Sequence, residues 1–265
     1  MKQKHAEKFL SLIALWLSLV LIAGCGGHAA KPPLDAANPA PPSAPSPGTS
    51  TPSNAKVFPD IQKLGGWQNC TACTGSPFAA YAMTQGVTSP SQSGASARFQ
   101  LLTGTRPFGG ALWFKFLGSV DSATHFVYEL YFYMDNPSAP QAVEFNVSQS
   151  AGGSHYDFST QCDLVGTRAW RVWDPIKKQW AASSAPCVQP PPNTWNHLVW
   201  EFERNSSGQA VFTAVTLNGN RSLVNMTMPH TGDSQSGVDV AFQLDANQTA
   251  TPVSVWLDKI SLTYW

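Results

Sequence analysis

Two stretches of the sequence place carboxylates and aromatic rings at every second position. In His125–Met134, Glu129, Tyr131 and Tyr133 alternate with Phe126, Tyr128, Leu130, Phe132 and Met134. In Trp195–Arg204, Trp195, His197, Val199, Glu201 and Glu203 alternate with Leu198, Trp200 and Phe202. A flat ring covers the apolar face of a pyranose, and a carboxylate accepts hydrogen bonds from its hydroxyls. Glu129, Tyr131, Tyr133, Trp195, His197 and Glu201 are therefore expected to line a saccharide site. The competing reading is a second small core beneath a loop, with the carboxylates in surface ion pairs to Arg204 or Lys115.

Other chemistries have less support. His125, His155, His197 and His230 show no i, i+2 or i, i+4 spacing, so no metal site is expected. The strand-to-helix serine turn G-x-S-x-G is absent. Cys70, Cys73, Cys162 and Cys187 are expected to pair as Cys70–Cys73 and Cys162–Cys187 in an oxidising compartment. Thr74-Gly75-Ser76-Pro77 follows the C-x-x-C, where a redox site needs a helix N-terminus, so that disulfide reads as structural. The second closes a loop holding Trp170, Trp173 and Trp180 with Arg168, Arg171, Lys177 and Lys178. Such a loop is either an apolar flap or a binding lip.

The elements that must position these residues have a period of two. Twelve runs are expected as strands: Phe78–Thr84, Ala95–Leu102, Ala111–Leu117, Thr124–Met134, Gln141–Gln149, Ser154–Cys162, Thr167–Trp173, Trp195–Arg204, Gln209–Leu217, Arg221–Met228, Val238–Leu244 and Val253–Tyr264. Turn signals such as Gly152-Gly153 and Asn218-Gly219 separate them. No amphipathic helix is visible. The pattern predicts one all-β domain over 57–265, a two-sheet antiparallel sandwich or jelly roll. The full chain has 265 residues with 16 basic and 16 acidic side chains, but 57–265 holds 14 acidic and 11 basic. An acidic domain in a charge-poor chain argues against nucleic-acid binding.

The N-terminal part differs in kind. Lys2, Lys4 and Lys8 precede an apolar run from Phe9 to Ala23, a secretory signal expected over 1–24. Leu21-Ile22-Ala23-Gly24-Cys25 resembles the bacterial lipobox, which implies that Cys25 becomes the lipidated first residue. Gly26 follows, and the sorting rule for such lipoproteins then implies the outer membrane, with the lipid as the only membrane contact. Residues 25–56 carry Pro32, Pro33, Pro39, Pro41, Pro42, Pro45, Pro47 and Pro52 among Ala, Ser, Gly and Thr, which reads as an extended tether.

Three segments carry a family resemblance. Trp195-Asn196-His197-Leu198, Thr216-Leu217-Asn218-Gly219-Asn220 and Val255-Trp256-Leu257-Asp258-Lys259-Ile260 resemble the concanavalin A-like lectin/glucanase group, including laminin-G-like domains. The domain also resembles a group of secreted proteins of soil bacteria, especially acidobacteria. The first resemblance implies a jelly roll that binds carbohydrate. Related modules hold a structural calcium near the position of Asp258, the only cofactor implied, although Lys259 stands where a second acid would be. Glycoside hydrolase family 16 carries E-x-D-x-x-E on a bulged strand, and Glu144-Phe145-Asn146-Val147-Ser148-Gln149 is similar to it. The likeness makes Glu144 the nucleophile, while Asn146 and Gln149 replace the tuning Asp and the acid/base. An amide cannot cycle a proton, so this constellation is expected to bind sugar through Glu144, Asn146 and its amides without cleaving it. The sequence leaves two alternatives: an active glycoside hydrolase or polysaccharide lyase pairing Glu144 with Glu129, Glu201 or Glu203, and an adhesion module that grips protein.

Overall fold

The computed structural model describes residues 51–265; the signal, the lipobox Cys25 and most of the tether lie outside the described residues. Strands β1 (Lys56–Phe58), β2 (Gln68–Cys70), β3 (Tyr81–Val87) and β4 (Ser96–Leu101) open the domain, with one-turn 3-10 helices at Ile61–Lys63 and Ala72–Thr74. Next come β5 (Gly110–Gly118), β6 (His125–Met134), β7 (Pro140–Ala151), β8 (Ser154–Phe158) and β9 (Thr160–Asp163). A hairpin of β10 (Ala169–Asp174) and β11 (Gln179–Pro186) precedes β12 (Trp195–Arg204), β13 (Gln209–Leu217) and β14 (Asn220–Pro229). The chain ends with β15 (Thr231–Gly232), β16 (Gly237–Ala246) and β17 (Val253–Tyr264).

These strands form an antiparallel two-sheet sandwich, the all-β fold that the alternation predicts. The first sheet runs β14-β13-β12-β6-β17-β4-β3, with β1 beside β17. The second runs β11-β10-β9-β7-β16-β5-β2, with β8 on β7 and β15 on β8. Between them lie the apolar halves of the alternating strands. Phe126, Tyr128, Leu130, Phe132, Leu198, Trp200 and Phe202 from the first sheet meet Val143, Phe145, Val147, Trp170, Val172, Val240 and Phe242 from the second. Phe132 packs on Phe145 at 5.4 Å between ring centroids, and Trp170 meets Trp200 edge-on at 5.2 Å. Aromatic pairs of this kind add about 1 kcal/mol each beyond the area they bury.

A polar knot ties the start of the domain to its end. β17 has a bulge after Asp258, with Lys259 in the left-handed region at φ 49°. Gln62 fills it: its amide donates to Asp258 Oδ1 at 3.1 Å and its carbonyl accepts from the Ile260 N–H at 2.9 Å. The Asp258 carboxylate also accepts from the Ser91 and Ser93 hydroxyls and from the backbone N–H groups of Gln92, Ser93 and Lys259. Burial raises its pKa, but these donors outweigh burial and hold it below the usual carboxylate range. Every partner is a donor, so a calcium ion at Asp258 would have to displace them.

Both expected disulfides are present, Cys70–Cys73 and Cys162–Cys187. Ser154–Cys162, expected as one strand, is broken at Ser159 into β8 and β9, which pair with different stretches of β7. β11 was not expected, because Gln179–Pro186 is rich in Ala and Ser and has no β-branched residue. Its pairing with β10 makes it a strand.

Candidate functional site

The outer face of the second sheet carries one straight polar row. Arg171, Gln161, Glu144, Gln243 and Leu112 stand directly opposite one another on β10, β9, β7, β16 and β5. From Arg171 to Gln243 the row is hydrogen-bonded from side chain to side chain, and the apolar Leu112 ends it. Arg171 donates to Gln161 Oε1, and Gln161 and Gln243 each donate to Glu144 Oε1 at 2.9 Å. Asn146, two positions along β7, donates to Glu144 Oε2 at 3.2 Å and accepts from the Thr160 N–H. Gln161, Glu144, Gln243 and Leu112 of this row lie in the floor of an open cavity of about 610 Å³.

Walls rise at both sides. On one side the β10–β11 hairpin contributes Trp173 and Trp180, edge-to-face at 5.3 Å, and Lys178. On the other stand Cys73–Ser76, which begin at the Cys70–Cys73 disulfide, and the half-exposed ring of Phe108. The Cys162–Cys187 loop therefore divides its tryptophans. Trp170 joins the core, while Trp173 and Trp180 form the lip.

A second carboxyl group joins Glu144 in the floor. Gln243 Nε2 donates to Asp245 Oδ1 at 2.9 Å, and Gln161 Nε2 reaches Asp245 Oδ2 at 3.3 Å. The two acids thus share two amide donors. Burial, then the Asp245 charge, pushes Glu144 well above the ordinary carboxylate range. Burial pushes Asp245 up to about 6, against the lowering effects of Gln243, Glu144 and Arg171. Two neighbouring carboxyl groups, both raised by burial, are a kind of pair that can serve acid/base chemistry. Among the described residues, no group of three or more His, Cys, Asp or Glu is placed to hold a metal ion.

The residues expected to form one ligand surface lie on two. Glu144 and Asn146 are in the cavity. Glu129, Tyr131, Tyr133, Trp195, His197 and Glu201 are on β6 and β12, on the outer face of the other sheet. The core face assigned to each strand is right; the strand order then places the polar faces on opposite sides of the sandwich. On that far face the carboxylates are engaged. His197 Nε2 and Glu129 Oε1 are 2.7 Å apart, Tyr131 stacks on His197 at 4.5 Å, and Arg221 grips Glu201 at 2.8 and 3.0 Å. None of Glu129, Glu201 and Glu203 lines the cavity with Glu144.

Gln149 also departs from the expectation. β7 pairs with β16 in unbroken register from Ala142 to Ser150, so no bulge intervenes. Five positions from Glu144 is an odd step, which turns Gln149 to the opposite face. There it donates to the carbonyls of Val120 and Ala123, fully buried. The partner of Glu144 is Asp245, which was not singled out from the sequence. Its signal was the alternation Asp239, Gln243, Asp245 against Val240, Phe242, Leu244.

No protein-family model matches the chain, and no curated protein sequence does. Solved structures resemble it in fold. Cellulose-induced protein Cip1 is 14% identical with a TM-score of 0.47, over 77% of this chain and 96% of that one. The carbohydrate recognition domain of Emp47p is 8% identical with a TM-score of 0.46, over 78% and 94%. Lectin I from Ulex europaeus, in complex with the methyl glycoside of α-L-fucose, is 11% identical with a TM-score of 0.46, over 80% and 98%.

Proposed function

We propose that the cavity on the second sheet binds a poly- or oligosaccharide. The observation that carries this is the combination of floor and walls: carboxyl and amide groups below, with the rings of Trp173, Trp180 and Phe108 at the sides. Hydroxyls need the first and the apolar faces of sugars need the second. The expectation of an exported, lipid-anchored envelope protein belongs to the same reading.

Isothermal titration of the purified chain against plant and microbial polysaccharides tests the binding. Trp180→Ala is expected to weaken the best ligand at least tenfold, about 1.4 kcal/mol. Retention of no polysaccharide rejects the reading. The Glu144–Asp245 pair favours a second reading, hydrolysis. Glu144 would give its proton to the glycosidic oxygen as the C–O bond breaks, and Asp245 would take a proton from the water whose oxygen bonds to the anomeric carbon. Reducing ends released from the bound polysaccharide, and abolished by Asp245→Asn, would establish cleavage. Binding without product leaves the lectin-like function.

A further inference from the structure

We propose that a gap between the two sheets, where β13 and β14 face β10, is a second binding site, for a small uncharged aromatic molecule carrying one carbonyl oxygen. This site is independent of the saccharide reading. It opens on the inner side of β10 at Trp170, whereas Trp173, on the outer side, borders the first cavity.

The gap follows from the residues on the facing strands. On β13, Val215 and Leu217 pack into the core, and directly opposite them on β14 are Ser222 and Asn220. Directly opposed residues share a face of the sheet, so β14 supplies a short hydroxyl and an amide where the core needs bulk. The fully buried Trp170 of β10 lines the space from the other sheet. What is left open measures about 200 Å³.

The connection from β11 to β12 borders this space. Cys187, disulfide-bonded to Cys162, donates its N–H to the Arg168 carbonyl, and Asn193 donates its N–H to the Met134 carbonyl. Between these two fixed points run Val188, Gln189, Pro190 and Pro191, all four of which line the gap. Val188 is apolar yet 63% exposed, so a ligand ring that covers it removes apolar surface from water.

Three observations define the ligand. Among the described residues, no Asp, Glu, Lys, Arg or His lines the gap. A charged molecule would lose its water there without gaining a counter-charge. The second observation is size and shape. An apolar cavity of about 150 Å³ holds benzene, so this one takes a six-membered ring with a short substituent. Its walls include the flat indole of Trp170 and the rigid rings of Pro186, Pro190 and Pro191. The third is an unpaired donor. Trp113, Trp170, Trp200 and Trp256 all have a buried indole N–H with no acceptor, and of these four Trp170 alone lines the gap. An unpaired buried donor is costly, and a carbonyl oxygen on the ligand is the acceptor it lacks.

The test compares acetophenone with benzoate, which match in size and differ in charge, titrated into the isotope-labelled purified chain. Acetophenone is expected to bind with a Kd below about 1 mM, attainable for a molecule of so few atoms, and benzoate at least tenfold more weakly. In the proton–nitrogen spectrum the Trp170 indole signal, assigned through its backbone, is expected to move downfield as acetophenone saturates. Ser222→Leu puts a larger apolar side chain into the gap. It is expected to weaken acetophenone at least tenfold while keeping or raising the thermal midpoint, which separates a filled site from an unfolded one. Weaker binding of acetophenone than that, equal affinity for benzoate, a Trp170 signal that stays in place, or undiminished binding in Ser222→Leu overturns the assignment.

Discussion

At the scale of single residues, the raised pKa of Asp245 gives the stability a pH signature. An Asp in an unfolded chain titrates near 3.9, whereas the fold raises Asp245 to about 6. The folded state binds this proton more tightly than the unfolded state. Its contribution to stability is therefore full at low pH and is lost as the pH rises through about 6. Asp245→Asn removes the buried charge while keeping a carbonyl for Gln243. It is expected to be more stable than the parent at pH 8 by about 1–3 kcal/mol, with the gain shrinking below pH 5. Urea denaturation at the two pH values measures this. Glu144 was legible as a site residue from its type and its strand. Asp245 was not, because its relation to Glu144 is the register of β16 on β7, which links positions about 100 residues apart.

At the scale of elements, β17 depends on a side chain from outside it. The bulge after Asp258 leaves the Ile260 N–H without a ladder partner, and Gln62 supplies the acceptor. Asp258 in turn orders Ser91–Ser93 against the strand. Asp258→Ala strips a buried acceptor from donors on three segments and is expected to cost about 3 kcal/mol, read from the shift of the urea midpoint. Alternation made the long strands legible, because each buries one face. The short or weakly patterned ones, β1, β2, β11 and β15, become strands only through a neighbour. The family 16 likeness failed in the same way at Gln149. The spacing of the letters was similar, but the bulge that would have turned the side chain is missing.

At the scale of the whole molecule, the two-sheet architecture was readable from the period of two and the turn residues. Which polar faces share a side was not, because order within a sheet is set by long-range pairing. Two good candidate surfaces consequently read as one. The anchor has its own test. Cys25→Ser, expressed in a bacterial host, is expected to shift the protein from the membrane pellet to the soluble envelope fraction and to abolish incorporation of labelled fatty acid. Retention of both label and pellet association would remove Cys25 as the lipidated residue.

The knot between Gln62 and Asp258 also bears on the timing of folding. β17 lies between β6 and β4 in the middle of the first sheet, yet it is the last strand of the chain. Without β17 that sheet is two unjoined parts, β14-β13-β12-β6 and β4-β3. The closing strand then joins the halves and engages the plug laid down some 200 residues earlier. Completion of this sheet therefore waits on a non-local pairing, the kind of contact that assembles slowly.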